Sequence, residues 1–331
     1  MRIALDAMGS DRAPAVEVEG AVGALLDLPE LSVVLVGDRA RVEAELARYP
    51  DAPRDRIEVV HTTEVIEMGE SPAQAVRRKP DSSIVVGTRL HKDGVVDGFV
   101  SAGSTGATMA ASLLILRPLP GVDRPAIGAD LPSAAGRFLL LDMGANVDVR
   151  PQHLVQFAHL GSVYAQDMMG IERPRVGLLN IGEEEEKGNE TTVEAYRLLK
   201  EDPHLLFVGN VEGRDIIQGK CDVLVCDGFV GNVLLKFYES MSGFMSGFLR
   251  SAIQEQGVQL DLELLFRTLD YTQWGGAPLL GVNGVTIICH GGSPPIALRN
   301  ALRAAASCVE SGMVEHIAGR LNRLAETTPA Q

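Results

Sequence analysis

Short apolar runs alternate with longer stretches of helical periodicity from one end of the chain to the other. Continuous apolar strands that alternate with helices are typical of a parallel sheet covered on both faces. The strand-like runs are Ile3–Leu5, Leu31–Val36, Ile57–Val60, Gly98–Val100, Phe138–Leu141, Val176–Leu179, Leu206–Val208, Val223–Val225 and Val285–Cys289. The helix-like stretches include Ala13–Leu26, Ala40–Arg48, Leu154–Met169 and Thr191–Lys200. The pattern predicts an α/β fold with a mainly parallel, Rossmann-like sheet sandwiched by helices.

The length of the chain, 331 residues, exceeds the roughly 250–300 residues at which a single hydrophobic core stops growing. We therefore expect residues 1–331 to form one catalytic unit of two lobes with a central cleft. The segment Asp123–Ser133 is rich in Pro and Gly and is the predicted place for the change of lobe.

Composition narrows the function classes. A net charge of −14 and an aromatic content of 5% argue against nucleic acid, whose binding needs basic surfaces and stacking platforms. The four cysteines lack the short spacing of zinc sites and are predicted to be buried, reduced thiols; they are Cys221, Cys226, Cys289 and Cys308. The sequence opens directly on a predicted strand and contains no apolar run long enough to span a membrane, which predicts a cytoplasmic protein.

Polar residues and glycines follow six of the predicted strands. Open parallel sheets bind ligands beyond the carboxyl ends of their strands, so these segments are the candidate site. They are Asp6–Gly9, Ser101–Gly106, Asp142–Asp148, Asn180–Asn189, Asp227–Asn232 and His290–Ser293. The residues that we expect to line the cleft are Asp6, Gly9, Asp142, Asn146, Asn180, Asp227 and Gly228. Each segment alone is ordinary turn chemistry, but the six together indicate a long polar cleft.

Two of these segments favour an anion. Bare backbone N–H groups and two hydroxyls precede the apolar run Met109–Leu116, and a helix start of this kind binds phosphate. This predicts phosphate binding by Ser104, Thr105 and Gly106, although a plain helix cap explains the segment equally well. Lys187 lies at a strand end between two glycines, where a flexible cation can reach a bound anion.

Several familiar signatures are missing. The sequence contains no Gly-x-Gly-x-x-Gly, no Gly-x-Ser-x-Gly and no His-Glu-x-x-His, and these argue against dinucleotide, serine-nucleophile and zinc-protease chemistry. Gly182 to Lys187 has the spacing of a P-loop without its Gly-Lys-Ser/Thr order. Asp142, Asn146 and Asp148 are compatible with magnesium, but turn and capping roles are favoured, so no metal is predicted.

With these motifs the sequence resembles the phosphate acyltransferase (PlsX) family of bacterial phospholipid synthesis. The matching stretches run in order along nearly the whole chain. They are Ile3–Gly9, Met68–Arg77, Ser101–Gly103 with Thr105–Gly106, Leu141–Asp148, Leu178–Gly182 with Lys187–Glu190, and Asp227–Phe229 with Gly231–Val233. The resemblance implies a homodimer with a fold akin to phosphotransacetylases and decarboxylating hydroxy-acid dehydrogenases. It also implies acyl-acyl-carrier-protein and inorganic phosphate as substrates, acyl phosphate as the product, and no cofactor.

This family chemistry needs positioning and oxyanion stabilisation rather than a covalent intermediate, because phosphate is already an anion and a thiolate leaves readily. Our hypothesis is that Lys187 and the amides around Ser104–Gly106 hold phosphate. Asn232 would stabilise the tetrahedral oxyanion, and His290, which directly follows a predicted strand, would orient phosphate or protonate the thiolate. The alternatives are a nicotinamide-dependent hydroxy-acid dehydrogenase on a related fold and a non-catalytic lipid- or carrier-binding scaffold.

Two surfaces complete the expectations. A chain of this net charge needs a local basic patch to bind an acidic carrier protein. The candidate patch is formed by Arg77, Arg78 and Lys79, at the end of the helix predicted after Ser71. The second choice is Arg299 with Arg303. The apolar stripe from Phe237 to Phe266 is expected to pack against the core or a dimer partner. Its tip, Leu264 to Phe266, is expected to make weak, reversible contact with the membrane, where a downstream membrane acyltransferase would use acyl phosphate.

Overall fold

The computed structural model of the chain describes residues 1–256 and 275–327. These residues divide into two compact units, of which the first comprises residues 1–127, 166–170 and 275–327 and the second residues 128–165 and 171–256. The chain first passes from one unit to the other between Ile127 and Gly128. That the two units act as one catalytic unit stays a prediction.

Strands and helices alternate through most of the described chain. The strands are β1 (Arg2–Asp6), β2 (Ser32–Gly37), β3 (Ile57–His61), β4 (Gly98–Ser101), β5 (Ala126–Ser133), β6 (Gly136–Leu141), β7 (Arg175–Leu179), β8 (Leu206–Val211), β9 (Val223–Val225), β10 (Ala277–Leu280) and β11 (Val285–Ile288). The helices are α1 (Ala15–Asp27), α2 (Arg39–Leu46), α3 (Pro72–Arg78), α4 (Ser83–Lys92), α5 (Thr105–Ala111), α6 (Pro151–Met169), α7 (Glu190–Glu201), α8 (Gly228–Gln256), α9 (Pro295–Glu310) and α10 (Met313–Thr327). A short 3₁₀ helix (Arg54–Arg56) precedes β3, and a π-helical turn (Ser112–Leu116) follows α5.

In the first unit the strand order is β3-β2-β1-β4-β11-β10, and every neighbouring pair is parallel except β10 with β11. The first two residues of β5 pair antiparallel with β10. Helix α4 packs against β1, β2 and β4 at Gly87, where a Cβ atom would lie 2.3 Å from the ring of the fully buried Phe99. Only a glycine lets helix and sheet approach this closely.

In the second unit the strand order is β5-β6-β9-β7-β8, with β5 and β6 antiparallel and the other neighbours parallel. Helix α6 crosses the sheet at Gly161, where a Cβ atom would lie 2.5 Å from Val223 Cγ1. Buried apolar residues fill the core beside the sheet, among them Leu131, Phe138 and Leu224. The predicted α/β fold with a mainly parallel sheet is confirmed, and β5 and β10 are the strands that the sequence pattern did not predict.

Within residues 1–256 and 275–327, no helix combines the length and the apolar character that crossing a bilayer requires.

Candidate active site

In the second unit the loop after β6 is built around a buried carboxylate. Asp142 is fully buried, and its oxygens accept hydrogen bonds from the backbone N–H of Ala145 (3.2 Å) and of Asn146 (2.6 Å) and from the Asn146 side-chain amide (3.0 Å). Asn146 is itself buried. Both residues were predicted to line a cleft, but their burial gives them another role, because they shape the loop from inside.

The start of α8 lies against this loop. Asp227 caps the helix, since its Oδ1 accepts the Val230 N–H at 2.9 Å. The Gly228 N–H donates to Asn146 O at 2.7 Å, and a Cβ atom on Gly228 would lie 2.8 Å from the same oxygen. A Cβ atom on Gly231 would lie 1.9 Å from Asp142 O. The two glycines of the Asp-Gly-Phe-Val-Gly-Asn segment are therefore required for close backbone approach, which fixes the helix start on the loop.

This approach brings Asn232 to the tip of the loop. Its Cβ atom lies 3.6 Å from where a Cβ atom on Gly144 would stand, and Gly144 has a φ of +131°, which disfavours any side chain. The Asn232 side chain is exposed and makes no hydrogen bond to any residue that the structure describes. Its amide is therefore available to a ligand at the end of β6.

The loop between β7 and α7, residues 181–189, is held by a pair of asparagines. Asn180 Nδ2 donates to Lys187 O at 2.9 Å and to Asn210 Oδ1 at 3.0 Å, while Asn210 Nδ2 donates to Glu184 O at 2.8 Å. Asn210 is buried, and Asn189 closes the loop by capping α7 through the Thr192 N–H. We call residues 181–189 the acidic loop, because four of its nine residues are glutamates.

Lys187 differs in its contacts from the lysines around the acidic loop. Glu183 is paired with Lys220 at 2.9 Å, and Glu185 is paired with Lys200. The stem of Lys187 lies over Gly182, where a Cβ atom would come 2.7 Å from Lys187 Cγ. Its side chain is exposed and forms no ion pair within the described ranges. Lys187 is thus a cation of the loop that no ion pair engages, although Glu184 Oε2 lies over the same glycine, 2.9 Å from that Cβ position.

In the first unit a second buried carboxylate ties two loops together. Asp6, at the end of β1, is fully buried and accepts the Ser101 hydroxyl at 2.7 Å, and Ser101 Oγ accepts the Gly103 N–H at 3.0 Å. A Cβ atom on Gly9 would lie 2.5 Å from Gly103 N. Burial raises the pKa of Asp6 above its ordinary value. Asp6 and Gly9 therefore support the loops after β1 and β4 rather than facing a ligand.

The segment predicted to bind phosphate begins α5 in the same unit. Ser104 is buried, and its hydroxyl caps the helix by accepting the Ala107 N–H at 3.3 Å. The cap that the sequence allowed is thus formed; it uses one lone pair of this hydroxyl and leaves the O–H as a donor. Thr105 is exposed, and the N–H groups of Thr105 and Gly106 make no hydrogen bond to the part of the chain that the structure covers. These two amides and the hydroxyls of Ser104 and Thr105 are what the segment offers an anion.

His290 follows β11 on an exposed loop of the first unit. Its Nδ1 accepts the Gly292 N–H at 3.1 Å, so the neutral ring carries its proton on Nε2. The Asp11 N–H donates to Gly291 O at 2.9 Å, which joins this loop to the loop after β1. The ends of β1, β4 and β11, three adjacent parallel strands, therefore form one continuous polar edge with His290 on it.

The chain is also similar in sequence to proteins of known families. A family profile described as “Fatty acid synthesis protein” matches residues 1–316. A phosphate acyltransferase from Heliobacterium modesticaldum is 52% identical over 333 residues, which cover 97% of this chain and 99% of that protein. Another, from Desulfitobacterium hafniense, is 51% identical and covers 98% of each. The chain belongs to the phosphate acyltransferase family.

Solved structures confirm the fold of this acyltransferase. A phosphotransacetylase from Streptococcus pyogenes superposes with a TM-score of 0.62 over 95% of this chain and 94% of that chain, at 18% identity. A phosphotransacetylase from Staphylococcus aureus gives a TM-score of 0.60 over 93% and 94%, at 19% identity. At this identity the likeness shows that the fold is shared.

The basic patch of the acyltransferase is smaller than its sequence indicates. Lys79 is paired with Glu70 and also donates to Val65 O at 2.7 Å. Arg77 and Arg78 are exposed and form no ion pair with the described residues, so they alone carry free charge there. The second choice, Arg299 and Arg303, is only partly compensated, because both guanidinium groups share the single carboxylate of Asp27.

Proposed function

We propose that the enzyme transfers a long-chain fatty acyl group from acyl-acyl-carrier-protein to inorganic phosphate and releases acyl phosphate for phospholipid synthesis. The observation that carries this proposal is the free cation of Lys187 in the acidic loop. The neighbouring glutamates Glu183 and Glu185 are already paired with Lys220 and Lys200. An ammonium group that no ion pair engages can make a charge-assisted hydrogen bond to phosphate, and such bonds are stronger than those between neutral groups.

The reaction needs one nucleophilic attack and the loss of one leaving group. A phosphate oxygen attacks the thioester carbon, the carbonyl oxygen becomes an oxyanion, and the C–S bond then breaks to give acyl phosphate and the carrier thiolate. The proton that hydrogen phosphate loses goes to this thiolate. Asn232, whose amide is exposed and unpartnered within the described chain, is suited to stabilise the oxyanion as a preorganised donor.

In the first unit, hydrogen-bond donors of His290, Thr105 and Gly106 support the proposal. The Nε2–H of His290 is free to donate because Nδ1 is occupied by the Gly292 N–H. This donor suits either the orientation of phosphate or the return of a proton to the thiolate. The N–H groups of Thr105 and Gly106 are proposed as further phosphate donors.

Direct attack by phosphate is favoured over a covalent cysteine intermediate. The four cysteines are buried, and burial raises the pKa of Cys221 and of Cys289 to about 12. Cys226 lies beside the candidate site, with its thiol 3.6 Å from Asp142 O, and burial raises its pKa well above the ordinary value. A thiol held protonated in this way is a poor nucleophile.

The test is to incubate the purified protein with hexadecanoyl-acyl-carrier-protein and phosphate, to remove the remaining carrier thioester, and then to trap acyl phosphate as the hydroxamate. We expect product that requires both substrates and appears without any change in nicotinamide absorbance. Carrier thiol released without acyl phosphate, or a reaction that requires a nicotinamide, would contradict the proposal. Binding of the carrier without turnover would favour the scaffold alternative.

A further inference from the structure

The second unit contains a cavity of about 1060 Å³. The loop after β6, the ends of β7 and β9, the start of α7 and the first turns of α8 contribute its walls. Most of its lining side chains are aliphatic or aromatic. A cavity of this size and character is typical of a site for a small apolar ligand.

The apolar lining changes from the floor of the cavity to its mouth. Leu154, Leu178 and Ile216 are at most 5% exposed and form the floor, whereas Ile181 is 82% and Phe229 is 62% exposed at the mouth. Large apolar side chains that remain this exposed around an opening mark a binding surface. The depth between mouth and floor fits a narrow, flexible ligand.

The polar groups in the wall are already satisfied by the protein itself. Asn180 Oδ1 accepts the Ile181 N–H, Asn189 Oδ1 accepts the Thr192 N–H, and Asp227 Oδ1 accepts the Val230 N–H. These oxygens therefore do not need hydrogen bonds from a polar ligand. The carboxylates of Asp148 and Asp227 in the same wall disfavour an anionic head group, so a neutral ester or thioester fits better than a free fatty acid.

We propose that this cavity holds the hydrocarbon chain of the acyl donor, with the far end of the chain at Leu154, Leu178 and Ile216. This inference rests on the proposed function and adds to it the site of the chain. The position supports it, because Asp227 lines the cavity and directly precedes the helix start that carries Asn232. The exposed apolar residues farther along α8, such as Phe244 and Phe248, do not line the cavity and are left for another partner.

The test uses one filling variant and one matched control. Val233 lines the cavity and is 55% exposed on α8, so Val233→Trp narrows the cavity without disturbing the core. Val193 is also exposed, at 36%, near the start of α7, but does not line the cavity, so Val193→Trp is the control. Binding of S-hexadecyl-pantetheine, an unreactive thioether, is measured by calorimetry. Acyl phosphate formation is measured in parallel with hexadecanoyl and hexanoyl carrier thioesters.

We expect Val233→Trp to bind the thioether roughly 50-fold more weakly than the native protein. The indole fills the space of about three methylene groups of the ligand, and the loss of each buried methylene weakens binding by a factor of about four. The variant should lose activity with the hexadecanoyl donor and keep it with the hexanoyl donor, while Val193→Trp behaves as native. If both variants bind and react as native, the cavity does not hold the chain and the proposed function stands. If Val233→Trp alone changes the oligomeric state, the face belongs to a second copy and the inference is wrong. If the native protein forms no acyl phosphate yet binds the thioether, and only Val233→Trp loses that binding, the proposed function fails and the chain site stands.

Discussion

At the scale of single residues, the free charge of Lys187 has a measurable consequence. Replacing Lys187 with Ala would remove the proposed charge-assisted contact to phosphate, and such contacts are worth about 1.5–3 kcal/mol. We expect kcat/KM for phosphate to fall roughly 10- to 100-fold, as measured from initial rates at varied phosphate. Glu184→Ala, in the same loop and also exposed, should change these rates little. Phosphate kinetics that are the same in both variants would remove Lys187 from the site.

Glu17 gives the first unit a pH-dependent stability. It is fully buried in α1, and its Oε1 accepts the Ser10 N–H at 2.8 Å. Burial, with a smaller contribution from the nearby Asp6 carboxylate, raises the pKa of Glu17 from 4.5 to about 7. Between these two values the folded protein keeps a proton that the unfolded chain has released. The free energy of unfolding therefore falls as the pH rises through this window.

The variant Glu17→Gln stays neutral at every pH and tests this directly. We expect the stability of the variant relative to native to rise by up to about 3 kcal/mol between pH 5 and pH 8. The measurement is the difference in Tm between the two proteins at each pH. A difference that stays constant from pH 5 to pH 8 would show that Glu17 does not titrate in this range.

The positions of the candidate segments could be predicted from the sequence, but the roles of their individual side chains could not. Asp142 and Asp6 follow strands as predicted, but both carboxylates turn inward because a loop that approaches a helix start needs its N–H groups satisfied. Asn210 was missed altogether. It lies within β8 and not after it, so only the hydrogen bond to Asn180 reveals its role. Which side chain stays free is decided by neighbours that are distant in sequence.

At the scale of elements, the predicted strands are the ones with continuous apolar residues. The two strands that were missed, β5 and β10, are the ones with an antiparallel partner on each side. Gly128, Asp130 and Pro132 interrupt the apolar pattern of β5. Proline is tolerated there because Pro132 lies near the hairpin turn, opposite Arg137. Turn-like composition therefore concealed a strand at the predicted change of lobe.

Helix α8 carries the predicted apolar stripe on an exposed face. Phe237, Phe244 and Phe248 are each at least 60% exposed, and the last two rings stack with centroids 6.3 Å apart. Phe244 and Phe248 are thus not part of the core, so we keep the prediction that a second copy covers this part of the stripe. The membrane-contacting tip, Leu264 to Phe266, lies outside the described residues, and its contact with lipid stays a prediction.

The double variant Phe244→Asp, Phe248→Asp tests the dimer. Each buried ring should contribute about 2 kcal/mol or more to association, so the variant should be monomeric under conditions where the native protein is dimeric. Light scattering coupled to gel filtration measures the mass. Leu26→Asp, on a similarly exposed residue of α1, is the control and should leave the mass unchanged. A dimeric double variant would place the interface elsewhere.

At the scale of the whole molecule, charge opposes the proposed donor. The chain carries −14, and acyl carrier proteins are acidic, so encounter depends on local cations such as Arg77 and Arg78. Reversing both to Glu should slow association with the carrier roughly tenfold at low salt and weaken its salt dependence. Stopped-flow binding at several salt concentrations measures this.

The matched control makes the same change in net charge elsewhere. Arg48 and Arg54 are exposed on the first unit, with side chains 68% and 48% accessible. If their reversal to Glu slows association as much as the reversal of Arg77 and Arg78, net charge alone governs the encounter. In that case the patch has no specific role.

The first unit is built from segments that are distant in the sequence, and this affects the nascent chain during translation. Strand β4 ends at Ser101, but its neighbour β11 begins only at Val285. At translation rates of 5–20 residues per second, roughly 10 to 40 s separate the emergence of the two strands. Throughout this interval β4 has an open edge that can pair with other polypeptides, while the second unit is being completed. A ribosome that stalls before Ala277 therefore releases an aggregation-prone product, and holdase chaperones should be needed most during this part of synthesis.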